Sequence, residues 1–201
     1  MRRQLMWLIP DGNNELLWDH RMCDDTGLGA ALRELIAKAF KGPLSLDQQE
    51  QVSVVLAGDP QLVYCCGITP GKLQELVENN PTIAAAILIY LRNSAEISEY
   101  FEVLVNMDTS LYSLEVVSRL TTAVEVPTDF LHRYIKKCIS FCEKIEENYM
   151  QKRLVRLVSV FLQSLIRNKC DLQAIVAEVR EFCRKFPKIK EASSLNSLLK
   201  T

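Results

Sequence analysis

The chain is poor in the residues on which most catalysis depends. Only two of its 201 residues are histidines, His20 and His132. His20 falls in a turn-rich N-terminal stretch, and His132 near a helix start beside Arg133. Neither belongs to a recognisable Ser or Cys nucleophile motif. Glycine is also scarce. Seven glycines leave no Gly-x-Gly-x-x-Gly fingerprint and no phosphate-cradling loop. Long apolar runs are absent: the longest, Ile83 to Leu91, is less than half of the ~20 residues a membrane span needs. It is expected to be a core helix, and no membrane is expected as a partner. The apolar stretch after Arg2-Arg3 breaks at Pro10-Asp11-Gly12, so no secretory leader is expected. Metal-dependent phosphodiester hydrolysis needs converging carboxylates. Glu143, Glu146 and Glu147, and the pair Asp24-Asp25, instead sit among neighbours typical of solvated helix faces and a loop. No enzyme activity, cofactor or small-molecule ligand is expected.

Seven cysteines, an odd number, show no disulfide spacing. Most fall on apolar helical positions, where a thiol packs as a small hydrophobe. This points to a reducing compartment, the cytosol or nucleus. Cys138 and Cys142, one helical turn apart, form half a zinc site, but no second ligand pair accompanies them. Packing beside Ile135 and Ile145 is the reading for this pair, and packing is also the reading for Cys65-Cys66.

What the sequence does have is helical periodicity. Apolar residues make up 48 % and charged residues 24 %, enough to bury one core. Residues 1–25 read as an irregular arm, with Trp7 and Trp18 as its anchors. From Thr26 the apolar positions recur at helical spacing with clear punctuation, giving a single all-helical interaction domain over 26–201. Ser45-Leu46-Asp47-Gln48 is a capping box. Thr69-Pro70, Asn80-Pro81 and Pro127 open helices, because proline at a first position gives up only an amide that lacks a partner there. Asp108 and Asp171 read as N-caps. The expectation is an all-α fold of about nine or ten short-to-medium antiparallel helices in a compact bundle.

Charge is unevenly spread. Residues 1–129 carry nine basic and eighteen acidic side chains; residues 130–201 carry fifteen basic and seven acidic. Attraction between the two halves within the fold is one reading. The other is a basic surface of Arg133, Lys136, Lys137, Arg180, Arg184, Lys185, Lys188 and Lys190 that binds RNA weakly through phosphates. The neighbouring Tyr134, Phe182 and Phe186 fall on apolar faces, out of reach of bases.

The segment from Asn148 to Asn168 is apolar over most of its circumference. Leu154, Leu157, Val158, Phe161 and Leu165 cluster with Met150, flanked by Val155, Leu162 and Ile166 on one side and Val160 on the other. Such a helix is expected to be central and contacted on several sides. Its polar strip is narrow: Lys152, Arg156, Gln163 and Arg167. These four are the candidate partner-binding residues, since arginine forks suit carboxylates and carbonyls of a docked segment. The competing reading pairs Arg156 and Arg167 with acids of the N-terminal half as an internal seam.

Two long runs resemble a known family. They are Glu99-Tyr100-Phe101-Glu102-Val103-Leu104-Val105-Asn106-Met107-Asp108 and the stretch from Tyr149-Met150-Gln151-Lys152-Arg153-Leu154 to Ser164-Leu165-Ile166-Arg167-Asn168-Lys169. With Ser118-Arg119-Leu120-Thr121-Thr122 and Leu76-Val77-Glu78-Asn79-Asn80-Pro81, they are similar to the C-terminal domain of the eleventh subunit of the CCR–NOT mRNA deadenylase complex. The resemblance implies a non-catalytic subunit of the cytoplasm and nucleus. It also implies partnership with the tenth subunit and the large scaffold subunit. Additional adaptor proteins would dock on the domain, in the service of poly(A) shortening, mRNA decay and translational repression. Arg156, Gln163 and Arg167 match the family pattern; Lys152 departs from it.

Overall fold

Three of the described helices begin where the chain gains a side-chain acceptor or gives up an amide: after Ser45, after Ser110 and at Pro81. A computed structural model describes residues 27–199, so the expected arm, with Trp7, Trp18 and His20, lies outside the described residues. Among the described residues there are ten α-helices and no strand. They are α1 (Gly27–Lys41), α2 (Leu46–Gly58), α3 (Leu73–Asn79), α4 (Pro81–Tyr90), α5 (Ile97–Asn106), α6 (Leu111–Ala123), α7 (Thr128–Lys144), α8 (Asn148–Arg167), α9 (Val176–Lys185) and α10 (Lys190–Leu198). Short 3-10 turns at Pro60–Cys65, Pro70–Lys72, Leu91–Asn93 and Gln173–Ile175 join several of them. None of the described helices is long and apolar enough to cross a membrane.

The capping box before α2 is complete. The Gln48 amide donates to Ser45 Oγ at 3.3 Å, and the Ser45 amide donates to Gln48 Oε1 at 3.1 Å. At α6 the cap is Ser110 rather than Asp108. Ser110 and Ser113 exchange amide-to-hydroxyl bonds of 3.2 and 3.0 Å. Starting the helix at Leu111 turns Leu114, Val117 and Leu120 inward, and that register puts the N-cap on Ser110. Asp171 does accept an amide bond, from Gln173 at 3.0 Å. The bond starts the 3-10 turn, however, and α9 follows only at Val176.

Asn80 precedes α4 and does more than mark its start. It is 2 % exposed. Its amide nitrogen donates to Ala39 O and Gly42 O at 2.8 and 2.9 Å, and its Oδ1 accepts from the Leu44 amide at 2.8 Å. One side chain therefore satisfies three backbone groups of the α1–α2 turn.

Buried residues form one contiguous core. α4, with Ile83, Ala84, Ala85, Ile87 and Leu88 buried, packs against α2, α3 and most extensively α6. A file of rings crosses from α5 to α8. Phe101 stacks on Phe130 at 4.4 Å, Phe130 meets Tyr134, and Tyr134 meets Phe161 edge-on at 5.9 Å. α8 touches α6, α7 and α10, as its apolar circumference requires. Its C-terminus closes by a Schellman pattern. The Cys170 amide bonds Leu165 O at 3.1 Å and the Lys169 amide bonds Ile166 O at 3.0 Å. Lys169 takes the left-handed position, φ 57°.

Cys66, Cys138, Cys142 and Cys183 are buried thiols. Burial pushes Cys138 up to about 12 and Cys142 up as well, so both pack as hydrophobes at neutral pH. Cys65 differs from its expected role as a packing thiol, because it is disulfide-bonded.

Candidate functional site

The side chains of α8 divide as the helical wheel dictates. Leu154, Val155, Val158, Phe161, Leu162 and Leu165 are buried. Lys152, Arg156 and Arg167 are exposed, and Gln163 is half-buried. Two members of this strip lean on α10: Gln163 Nε2 donates to Glu191 O at 2.9 Å, and Arg156 Nε lies 3.8 Å from Glu191 Oε2. Lys152 and Arg167 make no ion pair among the described residues. The internal-seam reading is thereby corrected. The strip lies at the surface, and the acid beside Arg156 comes from α10 rather than from the N-terminal half.

The flank of α8 beyond the strip departs from expectation. Met150 and Val160, which the wheel assigns to apolar packing, are 44 % and 55 % exposed, and Tyr149 is 71 % exposed. Three elements diverge there, the start of α6, the end of α7 and the first half of α8. They leave a groove of about 300 Å³. Its floor is apolar, made by Phe141, Ile145, Leu154 and Leu157, with Leu111, Tyr112 and Met150 along its edges. Among the described residues that line it, Arg153 is the one charged side chain. It is exposed and makes no ion pair or hydrogen bond among the described residues. α8 has four cations and no carboxylate in its 20 residues, so nothing within its own length neutralises Arg153.

A larger hollow of about 500 Å³ lies between the end of α6 and the α8–α9 turn. Its wall is more polar, and Asn168 Nδ2 donates across it to Thr122 Oγ1 at 3.1 Å.

The basic C-terminal third proves mostly occupied. Arg133 forks onto Glu102 of α5 and pairs with Asp129 at 3.0 Å. Lys136 meets Glu178 at 3.3 Å, and Lys185 meets Glu143 and Glu181 at 2.9 and 3.3 Å. Lys137 donates to Asn106 O and Arg180 to Leu199 O. Of the eight cations that suggested RNA, only Arg184, Lys188 and Lys190 lack a partner among the described residues. Tyr134 and Phe182 are fully buried, and Phe186 packs edge-on to Phe182 at 5.4 Å. Among the described residues, the ion pairs between the two halves are those of Arg133 with Glu102 and Asp129; Lys137 reaches across only to the Asn106 carbonyl, and the other pairs of these cations lie within the C-terminal part.

His132 Nε2 sits 3.0 Å from Asp171 O. A carbonyl only accepts, so Nε2 carries the proton and the ring ties α7 to the turn after α8. The Tyr134 hydroxyl and Ser159 Oγ are buried without a hydrogen-bond partner among the described residues. They lie in the packed interior, where they face no open site.

Residues 77–200 match the profile of the family described as CCR4-NOT transcription complex subunit 11. The chain belongs to this family. A relative from Dictyostelium discoideum, named CCR4-NOT transcription complex subunit 11, is 43 % identical over 165 residues. The alignment covers 82 % of this chain and 26 % of the relative, so the chain spans about a quarter of the length of the protein it matches. Within the family match fall α4 to α10, and therefore both the α8 strip and the groove. The polar strip of α8 is legible in the sequence as a surface feature; the groove lined by Arg153 and Tyr112 is not. The available signal was the missing carboxylate on α8; the divergence of α6 from α7 is a tertiary feature that no local pattern carries.

Proposed function

We propose that this domain is a non-catalytic docking module of a subunit of the CCR4-NOT complex, working in the cytoplasm and nucleus. It serves poly(A) shortening, mRNA decay and translational repression by holding partner proteins. The partners are adaptors together with other subunits of the complex, the tenth subunit and the large scaffold among them. The observation that carries the reading is the outward face of α8. Tyr149, Met150 and Val160 are exposed beside Lys152, Arg153 and Arg156, on a helix whose opposite side is core. Exposed apolar side chains edged by cations, of which Lys152 and Arg153 have no ion pair among the described residues, mark a surface built for another protein. Family membership supports the assignment to the complex.

The test is tethering. The chain, fused to an RNA-hairpin-binding peptide, is placed on a reporter mRNA in cells, and tail length and half-life are measured. Docking predicts a shortened tail and faster decay. The purified chain, incubated with magnesium and labelled poly(A), leaves that RNA intact. A reporter tail that stays at full length overturns the docking reading, and shortening by the purified chain overturns its non-catalytic character.

A further inference from the structure

The geometry points to one kind of occupant for the groove between α6, α7 and α8: an amphipathic helix of a partner protein, with apolar anchors on the groove floor and a carboxylate on Arg153. The inference rests on the docking reading above and names the chemistry of the partner segment.

Three observations converge. The floor of Phe141, Ile145, Leu154 and Leu157 is apolar, and about 300 Å³ suits anchoring side chains rather than a whole folded surface. Leu111, Tyr112 and Met150 edge it while remaining substantially exposed, so the apolar surface continues onto the rim, where a docked segment would cover it. Second, the described residues contain no strand and hence no sheet edge that could pair with an extended peptide. A segment lying in an all-helical groove must satisfy its own backbone amides and carbonyls, and a helix does so internally. Its anchors then recur at i, i+3 or i+4, and i+7.

Third, the charge is one-sided. Arg153 stands in the groove wall unpaired among the described residues, with exposed Lys152 next to it and Arg156, which meets Glu191, one turn on. The acids nearest in sequence, Asp108 before α6 and Glu146 and Glu147 before α8, lie at exposed positions outside the wall and make no ion pair with Arg153. A guanidinium beside an apolar floor recognises a planar carboxylate by a two-pronged bond, which gains strength as the docked helix excludes water. The partner segment is therefore acidic as well as amphipathic. Lysine or arginine at the same position would face Arg153 directly and be rejected.

The experiment uses the full chain and a phage-displayed library of helical peptides, with anchor and flanking positions randomised. Selection on the wild-type chain should enrich apolar residues at helical spacing together with Asp or Glu. Selection on Arg153→Glu should turn the enriched charge to Lys or Arg. A synthetic peptide of the wild-type consensus should shift backbone NMR signals around Leu111, Tyr112, Ile145, Met150 and Leu157. It should bind Arg153→Glu at least about tenfold more weakly, and Met150→Glu should weaken it similarly while folding normally, because Met150 is partly exposed.

Selected sequences without helical spacing overturn the inference. So does an acidic preference that survives Arg153→Glu, or signal shifts located elsewhere. Competition by poly(A) RNA for the same signals would assign the groove to nucleic acid. Peptide binding that appears only after deletion of residues 1–26 would assign it to this chain's own N-terminal segment, and concentration-dependent dimers lost in Met150→Glu would assign it to a second copy. Each of these overturns the partner-helix assignment. If tethered Arg153→Glu and Met150→Glu chains still shorten the reporter tail, docking stands and the groove is not its site. If the wild-type chain fails in tethering while the peptide results hold, the groove stands and the role in deadenylation falls.

Discussion

Two buried polar side chains in this domain have opposite accounts. Asn80 is fully satisfied, and it satisfies three backbone groups of the α1–α2 turn. Replacing it by alanine leaves the buried Leu44 amide and two carbonyls without partners, at about 1–3 kcal/mol for each group that water cannot reach. Asn80→Ala should therefore lose about 3 kcal/mol in chemical denaturation, and a loss under about 1 kcal/mol would mean that water replaces the amide. Tyr134 is the reverse case. Its ring packs between Phe130 and Phe161, while its hydroxyl, 2 % exposed with the rest of the side chain, has no partner among the described residues. Burial pushes the phenol well above its ordinary range, so it stays neutral. Tyr134→Phe keeps the ring contacts and removes an unsatisfied oxygen. Stability should hold or rise by up to about 1 kcal/mol, and a fall of similar size would show that the hydroxyl bonds a neighbour such as Ser113.

At the scale of the element, α8 separates what pattern can reveal from what it cannot. Its core-facing residues were legible because 3.6-residue periodicity alone fixes them, and Leu162→Ala should cost about 3 kcal/mol by the cavity it leaves. The polar strip was legible for the same reason. Since the strip lies at the surface, Arg156→Glu combined with Arg167→Glu should shift the melting temperature by no more than about 2 °C; a larger fall would restore a structural role for the pair. The fates of Met150 and Val160 were not legible, because a wheel shows which residues share a face but not whether a neighbour arrives to cover it. Capping followed the same division. Ser45 with Gln48 is a strong signature, and both of its bonds form. Ser110 with Ser113 carries a weak one, so the more conspicuous Asp108 attracted the assignment although it stands two residues too early.

Across the whole molecule, ion pairs join the middle of the chain to its end. Glu102–Arg133 links α5 to α7, and Glu178–Lys136 links α9 to α7. Arg133 holds Glu102 below its ordinary value of 4.5, and Glu178 is held down by a backbone hydrogen bond first and Lys136 second. A carboxylate depressed in the folded state contributes stability that is fully present above its unfolded value and is lost as pH falls through the folded one. The domain should thus melt at nearly constant temperature from neutral pH to about pH 5 and then progressively lower towards about pH 3. Glu102→Gln with Glu178→Gln should flatten that decline; an unchanged profile would place the titrating groups elsewhere. The same pairs show that much of the basic charge in the C-terminal third is answered within the fold. Composition counts charges, and only the fold shows which are already answered.

The left-handed turn at Lys169 offers a route to improving this protein as a laboratory reagent. A lysine there holds a conformation that glycine adopts without steric penalty, and the Schellman bonds around it involve backbone atoms alone. Lys169→Gly should keep those bonds and relieve about 1 kcal/mol of backbone strain. For a chain of this size that is a gain of roughly 2–4 °C in thermal midpoint. The altered position borders the polar hollow and lies at the opposite end of α8 from the apolar groove, so the sturdier variant would still serve in every peptide-binding assay.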